Sequence, residues 1–186
     1  MDSLCLKEVE VEVEVEEIEE VEEVEEVEEE VCIYDPCQYN YLWYSACMFL
    51  ATTGYSIYQE KYVFTIWPSG IFITSLNYWK KPRFNSWERT LDVTYVYSSI
   101  GYHLFRSVGA ENAYYFYLYF FIGITCYILS NYNLDKKRLY ISAFLHSMVH
   151  LFSNIAALCL YSGYIHDTWY NPVTQKFLEV CETFVD

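Results

Sequence analysis

Residues 139–164 read LYISAFLHSMVHLFSNIAALCLYSGY, a run of 26 residues with no acid, lysine or arginine, preceded by Lys136-Lys137-Arg138. A helix rises about 1.5 Å per residue and the hydrocarbon core of a bilayer is about 30 Å thick, so this run is long enough to cross a membrane with some tilt. His146, His150 and Asn154 recur every four residues inside it and share one helix face. Polar groups are costly in hydrocarbon, so that stripe is expected to face other parts of the protein.

The chain upstream repeats the pattern. Four further apolar runs cover about 39–58, 62–79, 90–105 and 113–130. Each is near the roughly 20 residues that a spanning helix needs, and in lipid each must be helical to satisfy its own backbone. Tyrosine and tryptophan crowd the run ends (Trp43, Tyr44, Tyr58, Tyr62, Tyr78, Trp79, Tyr114, Tyr115, Tyr164), as an interfacial aromatic belt requires. Pro68 is expected to kink the second helix or to start a shorter one after a break. A soluble bundle with buried tyrosines is the competing reading, but five apolar runs with short loops leave it little polar face. The expected fold class is all-α: a membrane bundle of about five transmembrane helices over 39–164, an acidic low-complexity tail over 1–38 and a short C-terminal tail over 165–186.

Composition supports this division. The 186-residue chain has a formal net charge of −15 and a mean hydropathy of only +0.05, which looks too polar for a membrane protein. Residues 8–31, however, hold 15 of the 26 acids and no lysine or arginine, leaving 11 acids against 11 bases elsewhere. The remainder is neutral and apolar, and no basic surface favours nucleic acid. In 8–31, valine first alternates with glutamate and then recurs every third residue, so neither a strand nor a helix stripe is sustained. A solvated disordered tail is expected, with a transient helix over about 16–31, offering acidic bait to a basic protein partner. The first apolar run begins near Tyr39, so the first spanning helix is expected to act as the insertion signal. Met1-Asp2 lacks the glycine that myristoylation needs. Cys32 and Cys37 form at most a weak pair, and unpaired thiols are expected throughout.

Loop charges set orientation. Lys80, Lys81, Arg83 and Arg89 follow the second run and Lys136, Lys137 and Arg138 follow the fourth, which places seven of the 11 bases in even-numbered loops. The loop after the third run carries Arg106 beside Glu111. By the positive-inside rule the even-loop side, and with it the N-terminus, is expected to be cytoplasmic, and the C-terminus luminal or external.

Candidate chemistry lies in the third and fifth runs. Asp92, Ser99 and His103 share a helix face. Counted from the cytoplasmic end, His103 lies about 20 Å deep and His150 about 16 Å, so the two are expected to meet near mid-membrane with Ser99 and His146 within a turn. His103, His146 and His150 could hold zinc with a fourth position for water, which zinc would convert to a nucleophile, with Asp92 or Ser99 assisting. The plainer reading, which we favour, is neutral histidines hydrogen-bonded to tyrosine, serine or backbone carbonyls, with no cofactor. His166 is expected at the surface. Between the second and third runs, Ser86 is expected to cap the re-entering helix, and Arg89 and Asp92, three residues apart, to pair at the interface.

The string Thr74-Ser75-Leu76-Asn77-Tyr78-Trp79-Lys80-Lys81-Pro82, followed by Ser86-Trp87-Glu88-Arg89 and Asp92, resembles uncharacterised multi-pass membrane proteins of large DNA viruses and protists, over roughly residues 70–160. That resemblance implies no activity. Ser99-x3-His103 and His146-x3-His150 are similar to motifs of the CREST-type membrane hydrolases. In that family three histidines hold zinc and the substrate is a lipid amide or ester. Its members have seven spans, and their aspartate follows the first histidine on the next helix, whereas Asp92 precedes His103. The expected function is a multi-pass membrane protein with a structural or interaction role in the lipid bilayer; the alternative is a zinc-dependent lipid hydrolase.

Overall fold

Local chemistry sets where each helix begins and ends. The computed structural model describes residues 32–182, and among them all regular structure is helical: α1 (Pro36–Ala46), α2 (Phe49–Tyr58), α3 (Tyr62–Tyr78), α4 (Trp87–Ser107), α5 (Ala113–Asp135), α6 (Leu139–Ser162), a 3-10 turn (Thr168–Tyr170) and α7 (Pro172–Glu182). The expected disordered tail and its transient helix lie outside the described residues. Pro36 opens α1, where a missing N–H costs nothing, and the Asp35 amide is taken by Gln38 Oε1 at 3.2 Å. Ser86 caps α4 as expected, its Oγ accepting from the Arg89 amide at 3.2 Å.

Two helices stop at non-glycine residues in the left-handed region, Glu60 (φ 56°) and Lys137 (φ 58°). At each, the next amide reaches back five residues (Lys61 N to Ser56 O, 2.8 Å; Arg138 N to Asn133 O, 2.9 Å), while Glu60 N and Lys137 N reach back three. This is the Schellman pattern, which satisfies the last carbonyls and reverses the chain within two or three residues.

The first apolar run forms one rod in two pieces. Between α1 and α2 the backbone tightens to three-residue hydrogen bonds, Met48 N to Ser45 O and Ala51 N to Met48 O, a 3-10 stretch inside a helix. The break expected at Pro68 does not occur, and α3 is helical through it. The Tyr95 ring of α4 lies over Gly70, where a Cβ would come within 2.0 Å of Tyr95 Cζ, and the Tyr95 hydroxyl donates to Ile66 O at 2.8 Å.

Helix α3 packs between α4 and the α1–α2 rod, and α6 packs on the rod and on α5. Each end has its own apolar cluster. At one end Tyr34, Leu42, Tyr78, Trp79 and Ala143 meet, and Ile33 N donates to Pro82 O at 2.9 Å. The 80–86 and 136–138 loops therefore share this basic end. At the other, Phe64, Phe116, Leu160 and Tyr161 meet. Lys61 Nζ there donates to the Tyr161 carbonyl at 2.6 Å and to that of Gly163. Burial holds the Lys61 ammonium below the usual lysine range, against the pull of Glu111.

The interior mixes apolar clusters with many small polar side chains, and large apolar side chains also lie on the surface. Ser45, Thr52, Ser56, Ser75, Ser130, Ser142 and Ser147 are buried, whereas Ile66, Ile73, Phe121 and Ile128 are each at least 60% exposed. By length and composition α5, with 23 residues, and α6, with 24, can each cross a membrane.

Two loop expectations are corrected. Arg106 is not a loop residue: it is buried in the last turn of α4, over the Phe64 ring at 5.0 Å, with Nη2 donating to His166 O at 2.7 Å. Glu111 instead accepts from the Tyr164 amide. The 165–186 segment, read as a plain tail, contains α7, anchored through buried Asn171, whose Nδ2 donates to Phe105 O at 3.1 Å. His166 is half-buried, with its ring 5.2 Å from that of Tyr164. Every described cysteine, Cys32 and Cys37 included, is a free thiol.

Candidate functional site: a cavity inside the bundle

The interior holds a cavity of about 340 Å³, within the size range of small-molecule sites. Its walls are mostly apolar, from Ile71, Val96, Ile100, Phe116, Phe120, Ile124 and Val149. All five residues singled out from the sequence, Asp92, Ser99, His103, His146 and His150, line it. They line it as three separate groups.

Near the basic end, Asp92 Oδ1 accepts from Thr74 Oγ1 and from Ser75 Oγ, each at 2.7 Å. The expected Arg89–Asp92 pair is absent. Asp92 turns into the bundle toward the α3 hydroxyls, while exposed Arg89 donates to Phe84 O at 3.2 Å. A carboxylate facing protein gains two hydroxyl donors there, and the cation keeps its hydration outside.

The second group is on α6. Ser45 Oγ lies 2.8 Å from the Leu42 carbonyl and 2.7 Å from His150 Nδ1. Because the carbonyl can only accept, Ser45 donates to it and His150 Nδ1 donates to Ser45, which leaves His150 Nε2 as a lone-pair acceptor. Among the described residues His146 makes ring contacts only: with Trp79 at 5.0 Å, His150 at 5.2 Å and Tyr127 at 6.3 Å. Asn154, the third member of the stripe, meets Thr52 and donates from Nδ2 to His150 O at 2.7 Å. The stripe does face protein, as the cost of polar groups in an apolar medium predicts.

The third group lies at the far end. His103 Nδ1 is 2.7 Å from the Ser99 carbonyl and its Nε2 is 2.6 Å from Tyr161 Oη. By the same logic Nδ1 carries the proton and Nε2 accepts from the phenol. Both ring nitrogens are occupied.

The expected meeting of His103 with His150 is therefore not formed. The His103 ring makes tilted or edge contacts with Phe64, Tyr102 and Tyr161, and the His150 ring makes edge contacts with His146, Phe49 and Trp79. No group of three His, Cys, Asp or Glu side chains among the described residues is close enough to hold one metal ion. As placed, the three histidines do not fit a shared zinc, whose bonds to nitrogen are about 2.0–2.1 Å. The sequence reading missed the partners Ser45, Thr52, Thr74, Ser75 and Tyr161. Ser45 and Thr52, seven apart, carry a helix-face signal, and Thr74-Ser75 opens the string quoted above.

No protein family, curated protein or solved structure matches the chain.

Proposed function

We propose that this chain is an integral membrane protein that crosses the bilayer five times and works by binding rather than by catalysis. The observation that carries the reading is the pairing of a polar-rich interior, with serine, threonine, asparagine and histidine buried, with large exposed apolar side chains such as Ile66, Ile73, Phe121 and Ile128. Water-soluble monomers rarely expose continuous apolar patches beyond a few hundred Å², whereas helices in lipid hide polar side chains against one another. Support for five crossings comes from the α1–α2 rod, α3, α4, α5 and α6 running alternately between the two ends, with α5 and α6 themselves long and apolar enough to cross. The shared basic end supports a cytoplasmic N-terminus, and the Glu-rich sequence of residues 8–31 suits recruitment of a basic partner.

Alkaline extraction and single-cysteine labelling test this. The protein should stay with the membrane pellet. Cysteines placed at Lys81 and Lys137 should be labelled from one side, and those at Glu60 and Glu111 from the other. Labelling of Lys81 and Lys137 from opposite sides overturns the topology.

The zinc hydrolase is a second reading, supported by the convergence of Asp92, Ser99, His103, His146 and His150 on one cavity. It requires His103 to leave Tyr161 and swing toward α6. One equivalent of zinc in detergent-purified protein, lost on His150→Ala, would establish it, and metal-free protein would remove it.

A further inference from the structure

The cavity has an unbalanced set of polar groups. Asp92 is 8% exposed, and its second oxygen has no hydrogen-bond partner among the described residues, whereas the first has two donors. His150 Nε2 and the ring of His146 are also without hydrogen-bond partners there. No lysine or arginine lines the cavity. Asp92 lies in the layer of Ser75, which holds it; Trp79, one helical turn further along, packs on His146 at 5.0 Å. Away from that layer the wall is Ile100, Phe116 and Phe120.

An aspartate inside an apolar body is expensive without a counter-charge, and intramembrane carboxylates ordinarily pair with a cation or face a ligand path. The two hydroxyls offset part of that cost but carry no charge. Arg89 is only one turn away in sequence, yet it reaches the Phe84 carbonyl and the Tyr78 side chain rather than Asp92. A partner with a positive charge, an N–H donor and an apolar body would complete this site.

We infer that the cavity is a binding site for a small amphipathic amine, with its ammonium on Asp92 and its apolar part against Ile71, Val96 and Ile100. A primary ammonium has three donors, one of which suits the open Asp92 oxygen. Entry is from the side, between α4 and α5. These helices are not one of the closely packed pairs, and the Tyr97 and Tyr127 phenols interact across the seam. The inference rests on the reading of the bundle as a membrane body.

The test uses the full chain in detergent and three probes of one shape: 2-phenylethylammonium, 2-phenylethanol and phenylacetate. Equilibrium dialysis should show the amine binding about tenfold more tightly than the alcohol, the scale of one charge-assisted hydrogen bond, and the acid most weakly. Equal binding of amine and alcohol by the natural protein overturns the proposal without any variant. Asp92→Asn should bring the amine down to the alcohol's level, and an unchanged amine preference in that variant also overturns it. Ile100→Trp, which fills the cavity and leaves Asp92 in place, should weaken amine and alcohol alike; retained binding there excludes this cavity. Sedimentation of the same protein after detergent removal reports on the membrane reading separately, since a soluble particle could still bind the amine.

Discussion

Removing one hydroxyl, by Tyr161→Phe, tests the assignment of His103 most directly. The phenol is fully buried, 2.6 Å from His103 Nε2, and the Phe64 ring lies 5.1 Å from it. Hydrogen bonds between membrane helices average about 0.6 kcal/mol in double-mutant cycles and reach about 1.7. Leaving a buried acceptor unsatisfied costs about 1–3 kcal/mol. His103 Nδ1 is already committed to Ser99, so the ring cannot turn to another partner without a second loss. The upper part of the membrane range applies, and Tyr161→Phe should cost about 1.5 kcal/mol. A cycle with His103→Leu should give a coupling of about 1 kcal/mol, read by titrating the folded protein in mixed micelles with dodecyl sulfate and following tryptophan fluorescence. Tyr164→Phe, an exposed tyrosine, is the control and should change nothing. A coupling below about 0.3 kcal/mol, the usual error of additivity, would refute the bond. The cycle also speaks to zinc: a His103 ligand would make His103→Leu lower the metal content, and the observed bonding predicts no change.

Other perturbations follow from the same geometry. Gly70→Ala ordinarily gains up to about 1 kcal/mol in a helix, but here the methyl must displace Tyr95 from Ile66 O, so the dodecyl sulfate midpoint should fall, and Tyr95→Ala should restore the gain. Ser86→Ala removes the α4 cap and should cost about 1 kcal/mol in the same titration, with Ser86→Asp close to neutral. Lys137→Gly should stabilise the α5–α6 turn by about 1 kcal/mol, because glycine adopts the left-handed backbone that lysine occupies under strain. The depressed Lys61 amine binds its proton less tightly folded than unfolded. Its contribution to stability should therefore rise with pH from the folded value up to about 10.4, and Lys61→Met should flatten that rise in pH-dependent unfolding.

Much of the helix order was readable from hydropathy and punctuation, and the candidate site only in part. Ser86 before an apolar run announces α4, and the run ends fall within a few residues of α2, α3 and α6. Azimuth and lateral distance are not encoded that way. Depth counting puts His103 and His150 at similar levels, but α4 and α6 are not a packed pair, and the cavity lies between them. The count of residues along a helix axis says nothing about that gap. Arg89 and Asp92 look like a pair along α4 because nearest-neighbour rules ignore the hydroxyls that α3 offers from across the interface. Helix α7 escaped notice because its anchor, Asn171, is one polar residue whose value lies in two distant carbonyls, of Phe105 and Val108.

The first rod and α6 run in the same direction and are tied together at successive levels: Tyr34 to Ser142, Ser45 to His150, Thr52 to Asn154, and Lys61 to the Tyr161 carbonyl. In a medium without water to replace them, sliding or twisting one rod against the other sacrifices several of these ties together. Those two rods, with α5 clasped to α6, make the stiff wall of the bundle. Compliance is left to α4, whose close packing is with α3 and whose ties to α5 and α6 are single side-chain bonds such as Ser107 to Tyr117 and His103 to Tyr161, so traffic into the interior is governed by the swing of that one helix.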